Sequence, residues 1–170
     1  AAAAIALSST ITPPPICSGT YFTYDAYSTV VTPSYSWKRL FQSDIQEALT
    51  VGVTNSVNEI LTNTKNLQTS VQYAFTVTSN GCSNTEIVTV KVNPTPKLNT
   101  TTTPSAICSG SAFQYTPGSG VTGATFNWSR KTKVGISNAE SAGIGSINEI
   151  LINTTSSPIT VEYEYVLNTV

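Results

Sequence analysis

Few side chains in this 170-residue chain could carry out chemistry, and histidine is absent. Without an imidazole, the sequence excludes Ser-His-Asp and Cys-His nucleophiles and histidine metal sites. A glycosidase would need two opposed carboxylates roughly 5–10 Å apart, and a calcium site would need several oxygen ligands in one loop. Neither pattern is evident among the acids, so we expect no enzyme, no metal site and no cofactor. These acids are Asp25, Asp44, Glu47, Glu59, Glu86, Glu140, Glu149, Glu162 and Glu164.

The charge and hydropathy of the chain exclude several kinds of partner. Charged residues make up 10% of the chain and the net charge is −1, whereas an ordinary soluble domain is about 25% charged. Such sparse, scattered charge provides no electrostatic footprint for nucleic acid. No apolar run approaches the roughly 18 residues that a membrane-spanning helix needs. The sequence therefore predicts neither nucleic-acid binding nor membrane insertion.

The elements that position these side chains are repeated, because the same blocks occur twice in one order. The pairs are I-C-S-G-T-Y-F-T-Y at 16–24 and I-C-S-G-S-A-F-Q-Y at 107–115, Y-S-W-K-R at 35–39 and F-N-W-S-R at 126–130, and S-V-N-E-I-L at 56–61 and S-I-N-E-I-L at 146–151. A fixed period of this kind indicates tandem copies of one structural unit. We predict a first module over residues 1–96 and a second over 97–170. Residues 1–7 are also compatible with the tail of a preceding module.

Period-two alternation predicts strands, because every second side chain then lies on one face. Residues 71–77 alternate in this way, and so do residues 161–167. Further strands are predicted around residues 22–24 and 35–37, and a last strand of the first module at 87–92. The only segment compatible with a helix is 44–49. Short strands at this spacing predict an all-β fold of tandem immunoglobulin-like β-sandwich modules.

Three residue types recur at equivalent positions and could form either a binding site or a core. A tryptophan in each copy could stack on a sugar, but its place in an alternating strand favours packing between two sheets. The arginine two residues later is expected to stack on that tryptophan or to pair with a repeated glutamate rather than to bind a ligand. These structural core positions are Trp37 and Trp128, Arg39 and Arg130, and Glu59 and Glu149.

The cysteines suggest a bridge within the first module. A Cys17–Cys82 disulfide would suit an oxidising, extracellular setting, and the alternative is a pair of buried free thiols. In a seven-strand sandwich these positions lie at opposite poles, so the bridge requires one strand fewer between them or a kinked first strand. Cys108 opens the second module, and its partner would fall beyond Val170. No counterpart of 87–92 follows either, so we expect the second module to be cut before its last strand.

Several blocks together carry a resemblance to a known family. They are the Ile-Cys-Ser-Gly openings, the aromatic-x-Trp-x-Arg strands, Gly-Ile-Ser-Asn at 135–138, the Asn-Glu-Ile-Leu blocks, Asn-Gly-Cys at 80–82 and Val-Lys-Val-Asn-Pro-Thr-Pro at 90–96. With these blocks the chain resembles the PKD-like repeat domains of Bacteroidota surface and secreted proteins, from about Ser8 onward. The first module departs from the pattern at residues 40–54, where a Gly-Ile-Ser-Asn block is missing.

The resemblance implies a long multi-repeat protein, exported by type IX secretion and similar to gliding-motility adhesins. We predict a structural or adhesive stalk, extracellular or at the cell surface after secretion across the outer membrane. Its joint at residues 91–105 would be semi-rigid, because proline limits rotation about φ. The expected partners are neighbouring repeats of the chain or identical subunits of a filament, with surface polysaccharide as a further candidate.

Other functions and another assembly remain compatible with the sequence. One alternative is a carbohydrate-binding module that reads sugar through Tyr21, Tyr27 or the loop at 119–124. A second is an accessory module of a secreted hydrolase. For the assembly, the alternative to one long chain is a subunit completed by a donor strand from a neighbour, supplied by residues 1–12.

Overall fold

A computed structural model describes residues 4–169, and the chain divides into two compact units between Thr95 and Pro96. All regular elements in the described residues are strands, which confirms the all-β fold. In the first module they are β1 (Ile16–Cys17), β2 (Thr20–Asp25), β3 (Ser34–Arg39), β4 (Val51–Gly52), β5 (Ser56–Leu61), β6 (Thr69–Ser79) and β7 (Cys82–Asn93). In the second they are β8 (Ala112–Tyr115), β9 (Thr125–Arg130), β10 (Ser141–Ile144), β11 (Ile147–Ile150) and β12 (Glu164–Asn168).

The first module is a sandwich of a five-stranded sheet, in the order β1-β7-β6-β3-β4, and a two-stranded sheet of β2 and β5. The long β6–β7 hairpin turns at Asn80 and Gly81, whose φ angles are 50° and 79°. An Asn-Gly pair tolerates these left-handed values, and its twist matches that of the flanking strands. The hairpin therefore sets the register of the larger sheet.

The core of the first module lies between the two sheets and draws on the predicted strands at 22–24, 71–77 and 87–92, together with β5, which was not predicted as a strand. From the larger sheet come Val71, Tyr73, Phe75, Val88, Val90 and Val92, and from the smaller sheet come Phe22, Tyr24, Val57 and Leu61. All six side chains from the larger sheet, and Leu61 from the smaller one, are 0% exposed. A branched or aromatic side chain at every second position packs well on a pleated surface, which is why these segments form strands.

The second module repeats this plan with fewer strands. One sheet has the order β10-β9-β12 and the other pairs β11 with β8. Within residues 97–169, β12 has β9 on one side and no strand on the other. Each of the five strands matches one of β2 to β6 in the first module, so the position that β7 holds there has no occupant from this part of the chain.

Residues 44–53 contain no helix. Ile45 forms an isolated bridge to Asn63, and β4 follows as a strand of two residues paired with β3. The segment is held mainly by single hydrogen bonds, among them one from Thr64 N to Asp44 O at 2.8 Å. It therefore forms an irregular edge of the sandwich.

The chain before β1 is tied to the first module where the structure describes it. Leu7 packs against the core, and Ser8 N donates to Tyr27 O at 2.7 Å. Residues 1–3 of the predicted tail segment lie outside the described residues. Residues 4–169 contain no helical segment with the length and hydropathy of a membrane span.

The prediction of a Cys17–Cys82 disulfide is wrong, because both cysteines are free. Cys82 opens β7, whereas Cys17 pairs with Asn93 at the opposite end of that strand. A strand of 12 residues separates its ends by roughly 36 Å, while a disulfide needs Cα atoms about 4.4–6.8 Å apart. The alternative of buried thiols is wrong as well, since Cys17, Cys82 and Cys108 are all exposed.

Candidate functional site: a buried arginine–glutamate–tyrosine cluster

Each module buries an arginine between its two sheets. Arg39 ends β3 and Arg130 ends β9, and alternation along both strands directs the arginine to the same face as the tryptophan two residues earlier. The arginine side chains are only 1% exposed. A buried guanidinium requires a charge partner and hydrogen-bond acceptors, because desolvation of an unpaired charge is costly.

In the second module the partner is Glu149 on β11. Arg130 Nε lies 2.9 Å from Glu149 Oε2, and Arg130 Nη2 lies 3.3 Å from Oε1. Arg130 Nη2 also donates to Ala139 O at 2.6 Å. Tyr163 donates its hydroxyl proton to Glu149 Oε2 at 2.5 Å. The guanidinium and the tyrosine together give both carboxylate oxygens a hydrogen-bond donor.

The first module has the same cluster with a longer ion pair. Arg39 Nε lies 3.4 Å from Glu59 Oε2, and Tyr73 donates its hydroxyl proton to the same oxygen at 2.6 Å. Arg39 Nη2 donates to the backbone carbonyls of Glu47, at 2.9 Å, and of Ala48. The structure therefore pairs each recurring arginine with the recurring glutamate rather than with the tryptophan ring.

Electrostatics hold the cluster in its charged form. Burial alone would raise the pKa of the Glu149 carboxyl, but hydrogen bonds from Arg130 and Tyr163 outweigh burial and leave that pKa below its ordinary value. Burial and the hydrogen bond to Glu149 raise the pKa of the Tyr163 hydroxyl above its ordinary value of 10.0. Burial and Glu59 do the same to the pKa of Tyr73. At neutral pH the Glu149 carboxyl is therefore ionised and has no proton to donate, which suits a structural tie between sheets.

The tryptophans pack over glycines, a feature that sequence reasoning missed. Gly52 on β4 pairs with Trp37, and Gly143 on β10 pairs with Trp128. A Cβ atom added to Gly143 would lie 2.8 Å from the Trp128 ring, and one on Gly52 would also collide with Trp37. The available signal was that both glycines recur at the same offset of 91 residues as the tryptophans.

The tyrosines of the cluster were predicted to lie on one face of an alternating strand but not to be partners of the glutamate. Tyr73 and Tyr163 recur at the same offset of 90 residues as Glu59 and Glu149. This shared offset could have linked the tyrosine to the glutamate, because it differs from the offset of 91 residues at which the arginine and the tryptophan recur. Sequence spacing alone does not show that the tyrosine hydroxyl crosses the sandwich to the carboxylate.

The remaining candidate residues are dispersed over the surface. Glu162 and Glu164 are exposed near the start of β12. Tyr21 and Tyr27 in the first module are 61% and 58% exposed. Within residues 4–169 no group of three or more acids or cysteines is arranged to hold a metal ion.

Comparison with known families gives the same division of the chain. A family model described as a PKD-like domain matches residues 14–96 and, as a second copy, residues 105–168. No curated protein matches the chain. The two matched segments contain both copies of the arginine–glutamate–tyrosine cluster, and PKD-like domains suggest a structural, extracellular type of module.

Proposed function

The chain belongs to the PKD-like domain family, and from that premise we propose that it is a non-catalytic, semi-rigid stalk segment of a long extracellular protein. The observation that carries this proposal is the shortness of the joint between the modules. Asn93 ends β7, and Leu98 already bridges Ser119 within the second module. Only residues 94–97 remain between them, and two of these are proline. A joint of this length and composition allows little independent motion.

The arginine–glutamate–tyrosine cluster inside each module also suits a protein that must resist mechanical force. The arginine–glutamate pair joins strands of opposite sheets in the second module, and the hydrogen bond from Tyr73 on β6 to Glu59 on β5 does so in the first. Breaking a buried pair of this kind leaves an uncompensated charge, which costs about 3–5 kcal/mol. Sliding of one sheet over the other would break both contacts together. Both oxygens of the Glu149 carboxylate accept hydrogen bonds within the cluster, which supports a structural role for it.

At a finer level we propose a cell-surface or filament protein of the Bacteroidota, of gliding-motility adhesin type and exported by type IX secretion. The support is the likeness of the Ile-Cys-Ser-Gly, Trp-x-Arg and Asn-Glu-Ile-Leu blocks to repeats of such proteins. The location has no support from a disulfide, since all three cysteines are free. The support for the proposed location is membership of the PKD-like domain family and the low proportion of charged residues.

The stiffness of the joint can be measured with the cysteines that the chain already carries. In a C17S variant, spin labels on Cys82 and Cys108 place one probe in each module, because both thiols are exposed. We expect a narrow distribution of label-to-label distances by pulsed electron paramagnetic resonance. A P94G/P96G variant in the same background should broaden it. An equally broad distribution with and without the prolines would contradict the semi-rigid stalk.

The proposed location and ligand need separate tests. On intact cells of the source organism, a membrane-impermeant maleimide should label these thiols, whereas labelling only after lysis would contradict surface exposure. A carbohydrate reader in the first module would use exposed Tyr21 and Tyr27, whose counterparts in the second module are Ala112 and Gly118. We expect no glycan-array binding by the two-module chain. Binding abolished by Y21A/Y27A would instead establish the reader.

A further inference from the structure

The chain that leads into the first module lies along β7 as a strap, which we define as residues 5–12. Asn84 Nδ2 donates to Ile5 O at 2.8 Å, and Thr89 N donates to Ile11 O at 2.8 Å. After the strap, β1 continues the same line, because it pairs in parallel with the last residues of β7. The strap and β7 therefore run in the same direction.

The other side of the strap is held by β2 and by the residues that follow it. Ser8 N donates to Tyr27 O at 2.7 Å. The hydroxyl group of Tyr24 donates to Thr10 O at 3.0 Å and lies 2.7 Å from Ser9 Oγ. Most hydrogen bonds of the strap involve a side chain in this way, so they form a set of single ties rather than the backbone ladder of a strand.

Three prolines, residues 13–15, separate the strap from β1. Proline has no N–H group, so this segment cannot donate a hydrogen bond to the edge of β7. Beyond the prolines, β1 is held by its backbone pairing with β7, Ser18 N donates to Asn93 O at 2.9 Å, and Ile16 packs against the core. The strap and β1 are therefore two separate attachments to β7.

The second module attaches the corresponding segment in the same way on the side of β8. Asn99 N donates to Gly118 O at 3.0 Å, and Thr100 Oγ1 lies 2.6 Å from the hydroxyl group of Tyr115. Both contacts lie 91 positions after their counterparts in the first module. The tie between the strap and a tyrosine hydroxyl is thus part of the plan of the module.

Tension along the chain would load the strap in one particular direction. It would enter the first module through the strap, beside Asn84 near the start of β7, and leave after Asn93 at the end of that strand. Because the strap and β7 run parallel, such a pull slides them past each other instead of peeling them apart. Contacts that are loaded in this way share the force, so the strap holds until its ties break together.

We propose that the strap is a tension-released element, which detaches in one reversible step while β1 to β7 stay folded. The proposal rests on the proposed stalk function, since only a chain under tension loads the strap. Residues 5–16 span roughly 26 Å when attached, because they lie beside Asn84 to Val92 of β7. Released and extended, they span at most roughly 36–40 Å. Each release therefore lengthens the chain by roughly 10–14 Å and lets the stalk yield without unfolding a module.

The test stretches the full chain between its two ends in magnetic tweezers. We expect a reversible step of roughly 10–14 Å at a lower force than the step of roughly 260–280 Å in which residues 16–93 unfold. A Y24F variant loses the two strap contacts of that hydroxyl, so at equal force the ratio of released to attached strap should rise about tenfold. Y27F is the matched control and should leave the ratio unchanged, because Tyr27 hydrogen-bonds to the strap through its backbone.

Amide hydrogen exchange, followed by nuclear magnetic resonance, tests the same separation without force. The amide of Ser8 reports on the strap, and the amide of Ser18 reports on β1, because each donates to one backbone carbonyl. Local opening of the strap should give Ser8 a protection factor about tenfold or more below that of Ser18. Y24F should lower the protection of Ser8 about tenfold further and leave Ser18 unchanged.

Three outcomes would overturn the proposal. Equal protection of Ser8 and Ser18 would mean that the strap and β1 open together, and an unprotected Ser8 would mean that the strap is not attached at all. The third outcome is a small step that Y24F and Y27F change equally, or no small step while Ser8 is protected. The stalk itself is tested by the label-to-label distances across the joint, so a failure of the strap would leave that result standing.

Discussion

The two modules differ in how much of their interior depends on the strand next to β6 or β12. Tyr73 is 0% exposed under β7, whereas Tyr163, which no strand of the described residues covers in that way, is half-buried. Arg39 and Arg130 are 3% and 2% exposed all the same. The ion pair thus needs only two strands, β3 with β5 or β9 with β11, whereas the tyrosine is sealed only in the module where β7 covers it. The charged cluster and the apolar core are therefore separable sources of stability within one fold.

The largest effect should come from removing the arginine of each cluster. R39Q and R130Q leave a partly buried carboxylate without its cation, which costs about 3 kcal/mol. Because the second module has less buried apolar surface, we expect R130Q to unfold that module. We expect R39Q to leave the first module folded and to lower the urea concentration at which half of it is unfolded. Urea denaturation followed by hydrogen exchange of peptides from each module would assign the losses.

A matched control for these variants is K133Q, which removes a charge from an exposed side chain. It should change the free energy of unfolding by less than about 0.5 kcal/mol. If R130Q has no larger effect than K133Q, the ion pair does not stabilise the second module, and the separation of charged cluster from apolar core is wrong.

The glycines under the tryptophans should give the next largest effect. G52A and G143A place a methyl group against an indole ring, and overpacking of this kind costs about 1–3 kcal/mol. The Cβ atom would approach Trp37 more closely than Trp128, so G52A should be the more destabilising change. A142S alters an exposed neighbour of Gly143 and serves as the control. Thermal unfolding of the three variants measures the order, and a reversed order would mean that β4, a strand of two residues, moves aside more easily than β10.

A smaller effect is expected in alkaline solution. The raised pKa values of Tyr73 and Tyr163 mean that the folded chain keeps both hydroxyl protons where an unfolded tyrosine would lose them. Their contribution to stability is therefore complete below pH 10 and is lost as the pH rises above it. We expect the melting temperature to fall above pH 10. Y73F and Y163F should each flatten this decline, and a decline unchanged in the double variant would show that other groups cause it.

Features of the fold and of the cluster could be predicted from the sequence where they depend on neighbouring or repeated residues, and not where they depend on contacts between distant segments. Alternation of side chains, which is a local pattern, predicted several of the strands. The repeat predicted Glu59 as one of two partners for Arg39, the other being the tryptophan. The disulfide prediction was wrong because the spacing of the cysteines in the sequence does not show how far the β6–β7 hairpin extends. Cys17 and Cys82 are brought to opposite ends of β7 by its pairing with β1, a contact between distant segments.

The last prediction concerns a change that should have no effect on stability. Since the three cysteines are free and exposed, the melting temperature should be the same with and without reductant. Under non-reducing, denaturing conditions all three thiols should react with maleimide, which mass spectrometry would count. Cys17 and Cys108 are equivalent in the repeat, so they should also react at similar rates in the folded protein. A slower reaction at Cys17 alone would contradict this equivalence and would show that pairing with β7 protects its thiol.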